Sequence, residues 1–251
     1  MVRDCRVRDS LACAFVVACT AAPLSYAGAE PRAVIELFTS QGCSSCPPAD
    51  KLLSQFITDP TLIPISLPID YWDYLGWKDT LADPRNSARQ RAYSRVRGDR
   101  EVYTPQVVVN GSVHALGSDK EAIEAAIASS HKNGMTLSLP VTMTIADGRL
   151  VVSVPGGGGG EPHSLAEVWI CGLIKAATVA IGRGENRGKT ITYHNVAEHW
   201  VKLGTWTGKG ETWSMPTQDF EEGVDEAAVM VQSGTVDKPS AMYGAAVTAL
   251  H

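Results

Sequence analysis

The chain is 251 residues long, 44% hydrophobic and 20% charged, with a formal charge of -5 at neutral pH. This composition excludes disordered and fibrous classes and fits one large globular domain or two small ones. The acidic balance gives no general attraction to nucleic acid or to anionic lipid, so neither is expected as a partner.

Residues 1–29 read as a targeting segment. Arg3, Arg6 and Arg8 form a basic start, residues 11–22 are an apolar run too short to span a bilayer, and small residues follow. Cleavage after Ala27 or after Ala29 satisfies the small-x-small rule, which implies a periplasmic or secreted protein. A rival is lipoprotein processing, because Val16-Val17-Ala18-Cys19 resembles a lipobox and would leave a lipid anchor on Cys19. Removal of the segment takes away Cys5, Cys13 and Cys19, and Cys43, Cys46 and Cys171 remain. Three cysteines are too few for a disulfide scaffold. Cys171 sits in the apolar run of residues 168–173 and reads as a small buried hydrophobe, with a resolving thiol as the alternative.

In the expected mature chain, residues 33–39 (Ala-Val-Ile-Glu-Leu-Phe-Thr) form a nearly continuous apolar run and predict a strand buried on both faces of a parallel sheet. Ala49, Leu52, Leu53, Phe56 and Ile57 recur at helical spacing and predict a helix that stops at Asp59-Pro60. A second strand over 62–69 runs into the cluster Asp70, Tyr71, Trp72. Ligands gather at the carboxyl ends of strands in open α/β sheets, so this cluster and the cysteines are expected near one another. Residues 75–100 read as an inserted helical segment with Ala88, Ala92 and Val96 on its inner stripe and arginines around it. A strand over 102–110, the turn Asn110-Gly111 and a strand over 112–116 follow, then a helix capped by Ser118 and Glu121 that ends near Gly134. Beyond residue 134 short alternating segments predict strands at 137–145, 149–154, 167–174, 178–181, 190–196, 199–207, 227–232 and 243–250. The expected architecture is an α/β domain over 30–134 with a helical insert, and an antiparallel β-sandwich-like domain over 135–251.

The chemistry centres on Cys43-Ser44-Ser45-Cys46 at the predicted helix start. A thiol there faces unpaired amides and the positive end of the helix dipole, which favours its thiolate. Cys43 is the expected nucleophile and Cys46, three positions on, the resolving thiol. Half of a zinc site looks the same, but the chain has no second such pair and no histidine at finger spacing, so no metal is expected. No cofactor is expected either. His194 and His199 have no third ligand in view, and the glycine-rich stretch 182–188 reads as a hairpin loop rather than a nucleotide cradle. Thr104-Pro105, opening a strand beside the helix start, reads as a cis bond that exposes backbone for an extended substrate, with a trans proline on an edge strand as the alternative.

Cys43-Ser44-Ser45-Cys46-Pro47 together with Thr104-Pro105 resembles the active-site and cis-proline motifs of thioredoxin-like proteins over residues 32–133. The longer stretch 38–50 and Arg183-Gly184-Glu185-Asn186 resemble a bacterial exported family known as a domain of unknown function. The resemblance implies thiol-disulfide exchange on a protein or small-molecule thiol or disulfide, with an unidentified redox partner. Cys43, Cys46 and Pro105 would be its catalytic residues, and Ser44, Ser45, Thr104, Asp70, Tyr71 and Trp72 the substrate-facing ones. Two features depart from thioredoxins: Gly42 stands where they carry tryptophan, and Pro105 follows Cys46 by 59 positions across the helical insert. Glu36 resembles the buried acid that deprotonates the resolving thiol, one position out of register; the alternative is a carboxylate held by backbone donors. A competing class is a binding module, holding a soft ion such as Cu(I) between the two thiols or serving as an interaction scaffold with a spent disulfide.

Overall fold

The computed structural model describes residues 30–132, 134, 136–157 and 165–251; the expected targeting segment and Cys19 lie outside them. The elements run β1 (Ala33–Thr39), α1 (Pro47–Phe56), β2 (Leu62–Pro68), α2 (Pro84–Arg97), β3 (Gln106–Val109), β4 (Val113–Leu116) and α3 (Lys120–Ser130). Then come β5 (Thr142–Ala146), β6 (Arg149–Val154), β7 (Ala166–Ala180), β8 (Thr190–Trp206), β9 (Glu211–Pro216), β10 (Glu226–Thr235) and β11 (Lys238–Ala249). The protein is a mixed α/β fold built on one eight-stranded sheet, in the order β11-β10-β7-β8-β2-β1-β3-β4, with a three-stranded sheet β5-β6-β9 beside it. Among the described residues no helix is long and apolar enough to cross a membrane.

Strand β1 is buried along its whole length, as its apolar run requires. It pairs parallel with β2 and antiparallel with β3. Ala33, Ile35 and Leu37 pack on one face with α1 and α3. Val34 and Phe38 pack on the other, with Tyr93 of α2. Alternation along a strand therefore decides which helix each β1 side chain meets.

The boundary expected near residue 134 does not separate two sheets. Strand β8 docks parallel to β2 at Ser66–Val196, and β7, β10 and β11 extend the same sheet outward by antiparallel pairing. The join is narrow for a covalent reason: Pro64 and Pro68 stand two residues either side of Ser66, on the same edge, and have no N–H to give. Asn195 closes the gap by donating from Nδ2 to the Pro64 carbonyl at 3.0 Å. The small sheet β5-β6-β9 packs on the outer strands through Val152, Val154, Val168, Trp206, Val229 and Tyr243. Along β10, Val229 and Val231 face this small sheet, and Ala228 and Met230 belong to the cluster under α2.

Two pairs of predicted short strands are single long ones, β7 and β8; Ala176 and Ala177 pair with His194 and Tyr193 straight across the predicted break. Strand β9 was not expected. Helix α3 is capped by Asp119, whose side chain accepts from Ala122 N, instead of by Ser118. Asn110 and Gly111 turn with φ of 50° and 71°, the left-handed pair that an Asn-Gly hairpin needs.

Helix α2 differs most from expectation. Ala88 and Val96 are exposed, while Asn86, Ser87, Arg89, Gln90 and Ser94 are buried beside Ala92 and Tyr93. The buried face is polar because what lies beneath it is polar: Gln90 donates to Gln106 Oε1 and to the Tyr103 carbonyl, and Arg89 meets Glu36 and Gln232. An apolar-stripe rule cannot find such a face.

Candidate functional site

Between β1 and α1 the chain makes a tight turn. Cys43 N donates to the Ser40 carbonyl and Cys46 N to the Cys43 carbonyl, both at 3.2 Å; the Cys46 carbonyl then accepts from Ala49 and Asp50. Cys43 and Cys46 are joined as a disulfide, their Cα atoms 5.4 Å apart. The helix opens at Pro47 and Cys46 is its N-cap, so Cys43 lies one turn ahead of the helix and not in it. The reason is that Pro47 and Pro48 have no N–H with which to bond back to Cys43 and Ser44. Ser44 and Ser45 are exposed, whereas Cys43 is 2% and Cys46 0% exposed.

The Thr104–Pro105 peptide bond is cis and lies against this turn. Ser45 Oγ donates to the Thr104 carbonyl at 3.4 Å, and Trp72 Nε1 donates to Thr104 Oγ1 at 2.7 Å. Trp72 also closes the space beside Gly42: a Cβ at Gly42 would stand 3.0 Å from Trp72 Cβ, so no larger residue fits there without displacement. Ser44, Ser45, Thr104, Pro105 and Trp72 thus lie around the disulfide. Asp70 and Tyr71 are held by α2 instead. Asp70 accepts from Ser87 Oγ, and Tyr71 donates to Gln90 Oε1 at 3.1 Å under the Arg91 guanidinium.

Glu36 does not lie beside α1 and the cysteines. It shares the face of Val34 and Phe38, opposite to α1, and is taken up by α2. Arg89 Nε lies 2.6 Å from Glu36 Oε1, and Tyr93 Oη donates to Oε2 at 2.6 Å. Arg89 and Tyr93 in turn meet Gln232 of β10. Burial alone would lower the Arg89 pKa, but the Glu36 carboxylate more than offsets it and holds the guanidinium charged. This carboxylate is engaged by Arg89 and Tyr93 in a buried ion pair on the face of β1 away from α1.

The acid on the helix side is Asp50, four positions after Cys46 on α1 and so on the same helical face. Thr39 Oγ1 donates to Asp50 Oδ1 at 2.7 Å, while Asp50 Oδ2 is buried with no hydrogen-bond partner. Burial raises the Asp50 pKa to about 7, the Thr39 bond opposes this, and the charge of Asp79 adds to it. Tyr193 Oη, also buried and unpaired, lies within the field of both carboxylates; its own pKa is raised by burial and then by Asp50 and Asp79. Sequence reading missed Asp50 because an acid in a helix's first turn ordinarily reads as an exposed partner of the dipole.

Two further groups come from the glycine-rich loop between β7 and β8. Asn186, fully buried, donates from Nδ2 to the Gln41 and Cys43 carbonyls at 3.0 and 2.8 Å. Glu185 Oε2 accepts from Ser44 N at 3.2 Å. From the other side Asp79, buried and with its pKa raised by that burial, accepts from Gln41 N at 2.7 Å, and Trp77 Nε1 donates to Gln41 Oε1. The turn is therefore clamped by segments far apart in the chain. Cys171 lies at 0% exposure on β7, its thiol pushed up by burial, as a structural cysteine should be.

Fold and site together define a mixed α/β protein with a strand-to-helix disulfide clamped by a hairpin loop. The chain belongs to the family described as protein of unknown function (DUF1223), which it matches over residues 34–232. It is similar to the crystal structure of a protein from Agrobacterium tumefaciens at 31% identity and a TM-score of 0.78, covering 88% of this chain and 95% of that one. It also shares its fold with HBP35 of Porphyromonas gingivalis at 12% identity and a TM-score of 0.57, covering 87% and 75% of the two chains. Comparison with curated proteins gave no match.

Proposed function

We propose that the chain is an exported, thioredoxin-like protein that exchanges disulfides through Cys43 and Cys46. Residues 33–130 then form the thioredoxin-like unit, with α2 as its insert, and Trp72 fills from the end of β2 the place that Gly42 leaves open beside the disulfide. The substrate is a dithiol or disulfide, on a protein or a small molecule. A substrate thiolate attacks Sγ of Cys43, the more exposed of the two residues, forming a mixed disulfide as the Cys43–Cys46 bond breaks. Cys46 leaves with the bonding pair and takes a proton from Asp50. A second substrate thiolate then attacks the substrate sulfur of the mixed disulfide and releases Cys43 as thiolate; the substrate loses two electrons and the protein gains them. The reverse sequence reduces a substrate disulfide, with Asp50 accepting the Cys46 proton.

The observation that carries this reading is the buried carboxyl of Asp50, one oxygen unpaired, on the helix that the disulfide precedes. An unpaired buried acid costs stability. A structural disulfide has no proton to move and no use for one. The near-complete burial of both sulfurs favours a second reading, a scaffold whose disulfide is permanent. Equilibration with glutathione decides between them. A reduction potential between about -270 and -120 mV is expected of an exchanger, and one well below about -300 mV would make the bond structural.

A further inference from the structure

The β7–β8 loop does more than hold the turn in place. Gly182 and Gly184 seat it on Trp77, and Asn186 pins it to the Gln41 and Cys43 carbonyls, which brings the Glu185 carboxylate to Ser44 N at 3.2 Å. Ser44 N is the amide that directly follows Cys43. In a turn that leads into a helix, such amides are the donors that stabilise a sulfur anion.

We propose that Glu185 is a positioning residue that biases the Cys43–Cys46 pair toward the disulfide, by occupying the Ser44 amide and placing a negative charge beside the sulfur that ionises on reduction. This deepens the exchange reading and rests on it for its biological meaning; the equilibrium itself is a property of the bond. The loop also carries Arg183, Arg187 and Lys189, of which Lys189 bonds to Asn186 Oδ1 at 2.9 Å. Behind the turn stand the carboxyls of Asp50 and Asp79. All five remain when Glu185 alone is changed, so the Glu185 charge can be read separately.

Glu185→Gln keeps an oxygen able to accept from Ser44 N and removes only the charge. In glutathione equilibration the Cys43–Cys46 bond breaks while two glutathione thiols join as their disulfide, so two electrons pass to the protein. Two protons go to the cysteines, or one to solvent where Cys43 stays ionised. Removing that charge favours the Cys43 thiolate, so the variant should shift this equilibrium toward the dithiol by roughly threefold at pH 8. Tenfold would correspond to about 30 mV. Because the effect needs an ionised Cys43, it should weaken as pH is lowered toward 6, and because Glu185 is exposed it should shrink at about 1 M salt. No shift at pH 8, or a shift toward the disulfide, overturns the proposal; so does a shift of equal size at pH 6 and in high salt, which would mark a merely structural role. A wild-type potential well below about -300 mV would sink the exchange reading yet leave this comparison measurable with dithiothreitol as the reductant.

Discussion

Arg89→Ala should lower the free energy of unfolding by about 3–5 kcal/mol, because it leaves the Glu36 carboxylate buried without its cation. The Glu36 side chain is 0% exposed and that of Arg89 10%, so water cannot substitute for the lost partner. The guanidinium also lies 4.9 Å from the Tyr93 ring and 5.1 Å from the Trp200 ring, and it donates to Gln232, so the substitution disturbs β1, α2, β8 and β10 together. Replacing both partners by apolar residues, Glu36→Leu with Arg89→Met, should recover most of the loss, since an ion pair taken out whole leaves no uncompensated charge. Urea unfolding of the two variants checks this through the midpoint at constant slope. A loss of less than about 1 kcal/mol for Arg89→Ala would show that Glu36 does not depend on this cation.

The same pair shows where sequence reading ran out. The apolar run of β1, the Thr104-Pro105 pair and the Asn110-Gly111 turn each carry a local signature and lie where that signature puts them, whereas the cysteine pair precedes α1 instead of opening it, because the helix starts at Pro47. Glu36 is not placed by such a signature: its role depends on which face of β1 meets α2, and α2 presents its polar side inward, against the rule used to orient it. The merging of the two halves into one sheet was hidden for a similar reason, since β8 reaches β2 through a single pairing between two prolines and an asparagine side chain. The clamp on the disulfide is less legible still. Asn186 lies 143 positions from Cys43, in a loop whose glycines suggest only a hairpin, and its partners are backbone carbonyls that no residue pattern displays.

Asp50→Asn separates the proton chemistry from the architecture, and it should change two quantities in opposite senses. Asparagine keeps an oxygen to accept from Thr39 and loses only the titrating proton. In the wild type the folded pKa of about 7 stands above the ordinary 3.8, so between these values the native state holds a proton that the unfolded chain has released. Stability is therefore greatest below about pH 4 as far as this group is concerned, and falls as pH rises to 7, where the buried carboxylate must ionise. The variant should lack that fall and be the more stable protein above pH 7, by a difference of order 4 kcal/mol at most. Exchange should move the other way. Without a carboxyl to return a proton to Cys46, the rate of disulfide reduction by a fixed concentration of dithiol thiolate should drop by about a hundredfold. The inflection near pH 7 in that rate should disappear as well. Stopped-flow reduction across pH 5–9, beside unfolding over the same range, reads both. A variant that gains alkaline stability but reduces at the wild-type rate would leave Asp50 as a buried acid with no part in the exchange, and the reading built on its unpaired oxygen would fall.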